Sequence, residues 1–285
     1  MCAVAAAALG MLLAGCGDVG PVVPRVDAAQ PSRNLVPASY DGRFRTSATV
    51  LESPDHGPQL CHAVAESLPP QCGGPDIVGW DWESVRHESA GGTRWGEYGL
   101  VGTYDDNVFT LTEPPTKPNW DGDHGDLETP CPEPDGGWRP VDPDAATDAA
   151  LNAGVRRARG VDGVSGVWID QRIPDDEITE QNANDPKRLV LNVTTVGDPA
   201  AMEREIRTVW GGALCVSTAE RTMAELQRVQ RQLGEADGML SSGIDEVTAQ
   251  VGLTVLVATE EFQQRLDDRY GAGAVRLFGS LEPID

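Results

Sequence analysis

Histidines at positions 56, 62, 87 and 124 are the side chains best suited to carry protons near neutral pH. All four precede residue 144, so the C-terminal half holds none. Ser53, Asp55 and His56, within "ESPDHGP", are the nearest thing to a nucleophile, acid and base. Hydrolysis by such a set needs the hydroxyl, imidazole and carboxylate brought together by folding. Three residues inside four positions read instead as a turn, and no catalytic residue is assigned. Gly-x-Ser-x-Gly, the phosphate-binding loop, His-Glu-x-x-His and the dinucleotide glycine pattern do not occur.

Two other groups could bind a ligand. In "DGDHGDLE", Asp121, Asp123, Asp126 and Glu128 supply the oxygen atoms that calcium prefers. Their spacing does not match the helix-loop-helix calcium motif, so the reading is a solvated acidic loop with calcium as its metal alternative. Trp80, Trp82 and Trp95 cluster in one short region. They could form an aromatic platform for a glycan or a protein anchor residue, or fill the core of a small barrel. No cofactor is expected.

The elements that would position these groups fall into two domains, giving an α+β fold. Residues 43–113 read almost entirely as strands: "RTSATVLE" alternates, "DIVGWDW" is a short apolar run, and "WGEYGLVGTYDDNVFTLTE" is a hairpin about Asp105, Asp106 and Asn107. A small all-β barrel or sandwich is expected, similar to an OB-fold. Residues 114–143, dense in Pro, Gly and Asp, read as a linker or long ordered loop. From residue 144 to 285, helices and strands alternate. "WGGALCVSTA" at 210–219 returns as "YGAGAVRLFG" at 270–279, which marks an internal duplication over about 161–219 and 239–281. Each copy reads as strand, strand, helix, strand, and the two copies are expected to share one sheet with helices on one face. Between them a helix carries Met223, Leu226, Val229 and Leu233, with a capping box expected at Ser217 and Glu220.

Residues Ala3 to Leu13 form an uncharged apolar run, suited to the core of a signal peptide, and no Lys or Arg precedes it. The run ends Leu13, Ala14, Gly15, Cys16. This tetrad resembles the lipobox of bacterial lipoproteins. The resemblance implies removal of residues 1–15, diacylation of Cys16 and attachment to the outer face of the cell membrane. Residues 16–42, rich in Pro, Gly and Ala, are expected to be a flexible tether. Only Lys117 and Lys187 are lysines, a bias that resembles GC-rich, actinobacterial-like coding.

Four cysteines lie beyond the apolar segment: Cys61, Cys72, Cys131 and Cys215. An even number in an exported chain favours disulfides. Cys61 and Cys72 bracket a short proline-interrupted loop, so they pair, leaving Cys131 for Cys215. A formal net charge of -23 repels phosphate backbones and anionic headgroups. Nucleic acid is therefore excluded as a partner. The expected partners are the membrane, reached through the lipid on Cys16, and an envelope protein or ligand. The function expected is a non-catalytic interaction module in the cell envelope, the alternatives being an envelope enzyme with a dispersed site or a calcium or ligand sensor.

Overall fold

A computed structural model describes residues 30–120, 127–171, 179, 182–234 and 238–284 of the chain. Its first unit is a closed barrel. Strand β2 (Phe44–Ser53) pairs antiparallel with both β3 (His56–Cys61) and β6 (Thr93–Asp105), while β4 (Asp76–Val78) links β3 to β7 (Val108–Leu111), which returns to β6. The β4–β7 pair is parallel. This circuit of five strands is OB-like. Alternate residues point inward, so Phe44, Ala48, Val50, Leu60, Ile77, Tyr98, Leu100 and Phe109 form the barrel core. The β6–β7 turn uses Asp106 and Asn107 at φ of 45° and 62°, a conformation that Asp and Asn tolerate better than most residues. A short strand β5 (Glu88–Ala90) adds to β6 outside the circuit.

The expected strand through Trp80 and Trp82 stops at Val78 instead. Gly79 turns the chain at a φ of 86°, and Trp82–Ser84 form a 3-10 helix capped by Asp81.

The second unit is built from two copies of one pattern. The first copy comprises α1 (Asp148–Arg159), β8 (Val164–Gln171), β9 (Leu189–Thr195), α2 (Pro199–Arg207) and β10 (Ala213–Thr218). The second comprises α3 (Met223–Leu233), β11 (Met239–Asp245), β12 (Gln250–Val255), α4 (Glu260–Tyr270) and β14 (Val275–Gly279), with a two-residue strand β13 (Ala258–Thr259) before α4. In each copy the first strand runs antiparallel to the second, and the second parallel to the third. Both first strands carry a register shift at the same place, between Val164 and Gly166 and between Met239 and Ser241. Helix caps coincide too: Thr147 and Thr222 open the first helices, Asp198 and Thr259 the second. The repeating unit is thus one helix longer than the four elements expected. The capping box before α3 is formed by Thr222 and Glu225 rather than by Ser217 and Glu220, because Ser217 is buried within β10.

The copies do not share a sheet. Each has its own, ordered β10-β9-β8 and β11-β12-β14. The reason lies at the edge of β8, where the Val167 N–H donates to Glu246 Oε2 at 2.7 Å and Gly166 packs against the Glu246 main chain. The turn after β11 therefore occupies the place a neighbouring strand would take.

Both chain ends of the described region cross between units. Residues 30–38, expected as part of the tether, lie along the second copy: the Arg33 N–H donates to Leu277 O, the Gly279 N–H to Arg33 O, and β1 (Leu35–Val36) runs parallel to β13. The cause is the edge of β14, whose outward main-chain groups need partners. In return, Leu281 enters the barrel core and β15 (Glu282–Pro283) pairs with β2.

The linker is pinned as well. Cys131 bridges Cys215 with a Cα separation of 5.8 Å, and Cys61 bridges Cys72 at 6.0 Å, the pairing expected. The two bridges span 84 and 11 positions of sequence. Closing a longer loop removes more entropy from the unfolded chain, so replacing Cys131 and Cys215 by Ser should cost about 4.5 kcal/mol and replacing Cys61 and Cys72 about 3 kcal/mol. Denaturant titration of the two double variants tests this order of effects.

Candidate functional site

The outer wall of the barrel carries an open groove of about 580 Å³. Its floor is Thr49 on β2 with Trp95, Gly96 and Glu97 on β6. Alternation along β6 sends Tyr98 and Leu100 inward and Trp95 and Glu97 outward. Trp95 is half-buried and Glu97 exposed. One rim is the loop closed by the Cys61–Cys72 bridge, which brings Val64 and Pro70 over the floor. The other rim is Arg86, His87 and Glu88. That rim is held from inside the barrel, where the Tyr98 hydroxyl donates to Arg86 O at 2.6 Å. Burial raises the Tyr98 pKa, so the phenol remains a donor at neutral pH.

The remaining aromatic residues support this wall rather than lining it. Trp82 is buried, and its indole N–H donates to Glu52 Oε2 at 2.7 Å. Trp80 packs edge-on against Trp82 and Tyr98, with ring centroids 5.2 and 4.9 Å apart. Trp82 belongs to the barrel core and Trp80 packs against it, so of the three tryptophans considered for a binding platform Trp95 alone lines the groove. Glu52 holds the layer together, because its other oxygen accepts from Arg94 at 2.7 Å while the Arg94 guanidinium lies 5.3 Å from the centre of the Trp82 ring. Burial alone would raise the Glu52 pKa. The bonds from Arg94 and Trp82 outweigh it and hold the carboxyl below its usual range. His87 lies on the far edge of Trp82, 5.1 Å between centroids.

The described histidines, His56, His62 and His87, do not converge. His56 bonds to Gly57 O in the β2–β3 turn, His87 stands on the groove rim, and His62 meets Ser280 at the seam between the two units, with Nε2 to Oγ at 3.2 Å. Ser53, Asp55 and His56 do lie at one turn, where the Ser53 hydroxyl accepts from the Asp55 N–H. Cys16, Asp121, Asp123, Asp126 and His124 lie outside the described residues. Glu128 is exposed beside Thr129 in the linker, and among the described residues no three His, Cys, Asp or Glu side chains are grouped to hold a metal ion. No described helix is long and apolar enough to cross a membrane.

The groove residues Thr49, Val64, Pro70, Arg86, Glu88 and Glu97 were not apparent from sequence. Two signals pointed near them: the outward position of Trp95 on an alternating strand, and the pair of cysteines around the rim loop. Matched against protein-family models the chain fits none, and no curated protein matches it.

Burial lowers the His62 pKa, so this ring resists protonation in the folded protein. The unfolded chain then binds more protons, and the stability this site contributes is complete above the ordinary histidine value of 6.5. It falls as pH drops through that value toward the lower native one. Melting midpoints followed from pH 7.5 to 5 should decline, and His62→Gln should remove part of the decline. A His62→Gln protein with an unchanged pH profile would show that the seam does not sense protons.

Proposed function

We propose that the chain is a lipid-anchored extracytoplasmic binding protein, attached through Cys16 and holding a polyhydroxylated envelope glycan in the barrel groove. The observation that carries this reading is the half-buried Trp95 indole, floored by the sheet and bordered by Arg86, His87, Glu88 and Glu97. An indole face accepts the apolar C–H face of a sugar ring, while charged side chains at its edge bond hydroxyl groups in pairs. Carboxylates at the rim, on a chain of net charge -23, disfavour phosphate-bearing ligands. A disulfide-held rim and a Tyr98-held rim leave the groove largely formed before a ligand arrives, which lowers the entropy lost on binding. Two disulfides are at home in an oxidising compartment outside the cytoplasm. Fold alone says nothing of ligand, since OB-like barrels carry many functions.

Two measurements check the two halves of the proposal. Cells expressing the wild type should incorporate labelled palmitate into the protein and retain it in the membrane fraction, and Cys16→Ser should abolish both. Titration of neutral envelope oligosaccharides should quench tryptophan fluorescence, and Trp95→Ala should weaken binding at least tenfold, about 1.4 kcal/mol, without altering the melting midpoint. Equal affinity in the Trp95→Ala protein would remove the groove from consideration.

A further inference from the structure

Strand register fixes the surroundings of the Trp95 indole. Residues directly opposite each other on antiparallel strands share a face, with Cβ atoms about 5 Å apart. Trp95 stands opposite Leu51 on β2 and opposite Glu88 on β5. Along β6 the same face carries Thr93 on one side and Glu97 on the other, each about 7 Å away. Leu51 and Thr93 are both buried. The indole is thus closed on two sides, and its two open sides meet carboxylates.

Nothing in the fold balances those charges. Glu88 and Glu97 are exposed, and among the described residues neither carboxylate makes a hydrogen bond or an ion pair. Glu52 shows the contrast, since Arg94 and the Trp82 indole both donate to it. With Arg94 so engaged, Arg86 is the one permanent cation lining the groove, and it lies two residues before Glu88, outside β5. His87 is held elsewhere, by Val85 O at Nδ1 and by the edge of Trp82. Two unpartnered carboxylates therefore oppose one guanidinium, on a chain of net charge -23. The potential beside the indole is negative and attracts a cation.

An ammonium group is the cation that fits this arrangement. It has three hydrogens to donate, enough for both carboxylates, and the face of an indole attracts its charge. A metal ion would lack ligands, because no third His, Cys, Asp or Glu is grouped with the two among the described residues. A sugar ring stacked on Trp95 brings such a group to the carboxylates when it is an amino sugar without its acetyl group.

We propose that the groove selects glycans with free amino groups, the ammonium being held between Glu88 and Glu97 beside Trp95. This selectivity rests on the glycan reading of the groove given above. Arg86, at the far rim, is left to bond hydroxyl groups of the same ligand.

The probes are the trisaccharides of glucosamine and of N-acetylglucosamine, titrated at physiological salt into the whole protein with both disulfides intact and followed by tryptophan fluorescence. The free amine should bind roughly tenfold more tightly. Glu88→Gln combined with Glu97→Gln should abolish that advantage, leaving the melting midpoint and the affinity for the acetylated sugar unchanged. Asp144→Asn combined with Glu260→Gln removes the same charge from exposed positions outside the groove and should keep the advantage, which separates local recognition from general attraction to an acidic chain. Equal binding of the two sugars, or an advantage that survives in the Glu88 and Glu97 variant, overturns the proposal and leaves the glycan reading standing. Displacement of the amino sugar by equimolar trilysine also overturns it, because the groove would then recognise cationic peptides. Binding of neither sugar overturns both.

Discussion

An edge strand presents a row of main-chain N–H and C=O groups that must find partners, and this protein has two three-stranded sheets and a barrel whose rims expose several. Sheets this small have little core of their own and depend on what covers them. The β14 edge is taken by Arg33, β13 by Leu35 and Val36, the β2 end by Glu282 and Pro283, and the β8 edge by the Glu246 carboxylate. Each partner comes from a part of the chain distant in sequence. The crossing of both ends between the units follows from that requirement.

The crossing couples the barrel to the duplicated unit. Leu281 fills the barrel core while Leu256 and Val257, from the second copy, pack against the same cluster. Thr46 donates to Ser280 O, and Ser280 meets His62 beside the disulfide loop that forms the groove rim. A change at the seam is therefore close to the groove. The helix packing of each copy is self-contained by comparison, with Leu151, Ile206 and Trp210 over the first sheet and Leu226, Val229 and Leu266 over the second.

The two copies carry one framework with different side chains on one face. The first sheet has Trp168 and Asn192, and its outer face is covered by a disulfide-held linker. The second has glycine at both positions and an open hollow. Both copies have apolar residues beneath the helices, where close packing tolerates few changes of volume.

Much of the architecture was legible because it depends on local periodicity. Strand-forming residues around Asp105–Asn107 within 95–113 predicted the β6–β7 hairpin, the apolar stripe of Leu226, Val229 and Leu233 predicted α3, and the similarity of 210–219 to 270–279 exposed the duplication. Proximity of Cys61 to Cys72 favoured one of the three possible disulfide pairings, and the folded chain carries that one. Other features required the folded chain. Edge pairing by residues 30–38, the return of Leu281 to the barrel and the separation of the two sheets at Gly166 all join positions far apart in sequence, and no periodic pattern marks such contacts. The groove is the same case: Trp95 was visible, but its neighbours Val64, Pro70 and Arg86 come from loops whose position is set by a disulfide and by a buried tyrosine hydroxyl. Residue type and spacing by themselves determined which elements form and which faces they bury; tertiary structure decided which faces stay open, because exposure depends on what the rest of the chain places over them.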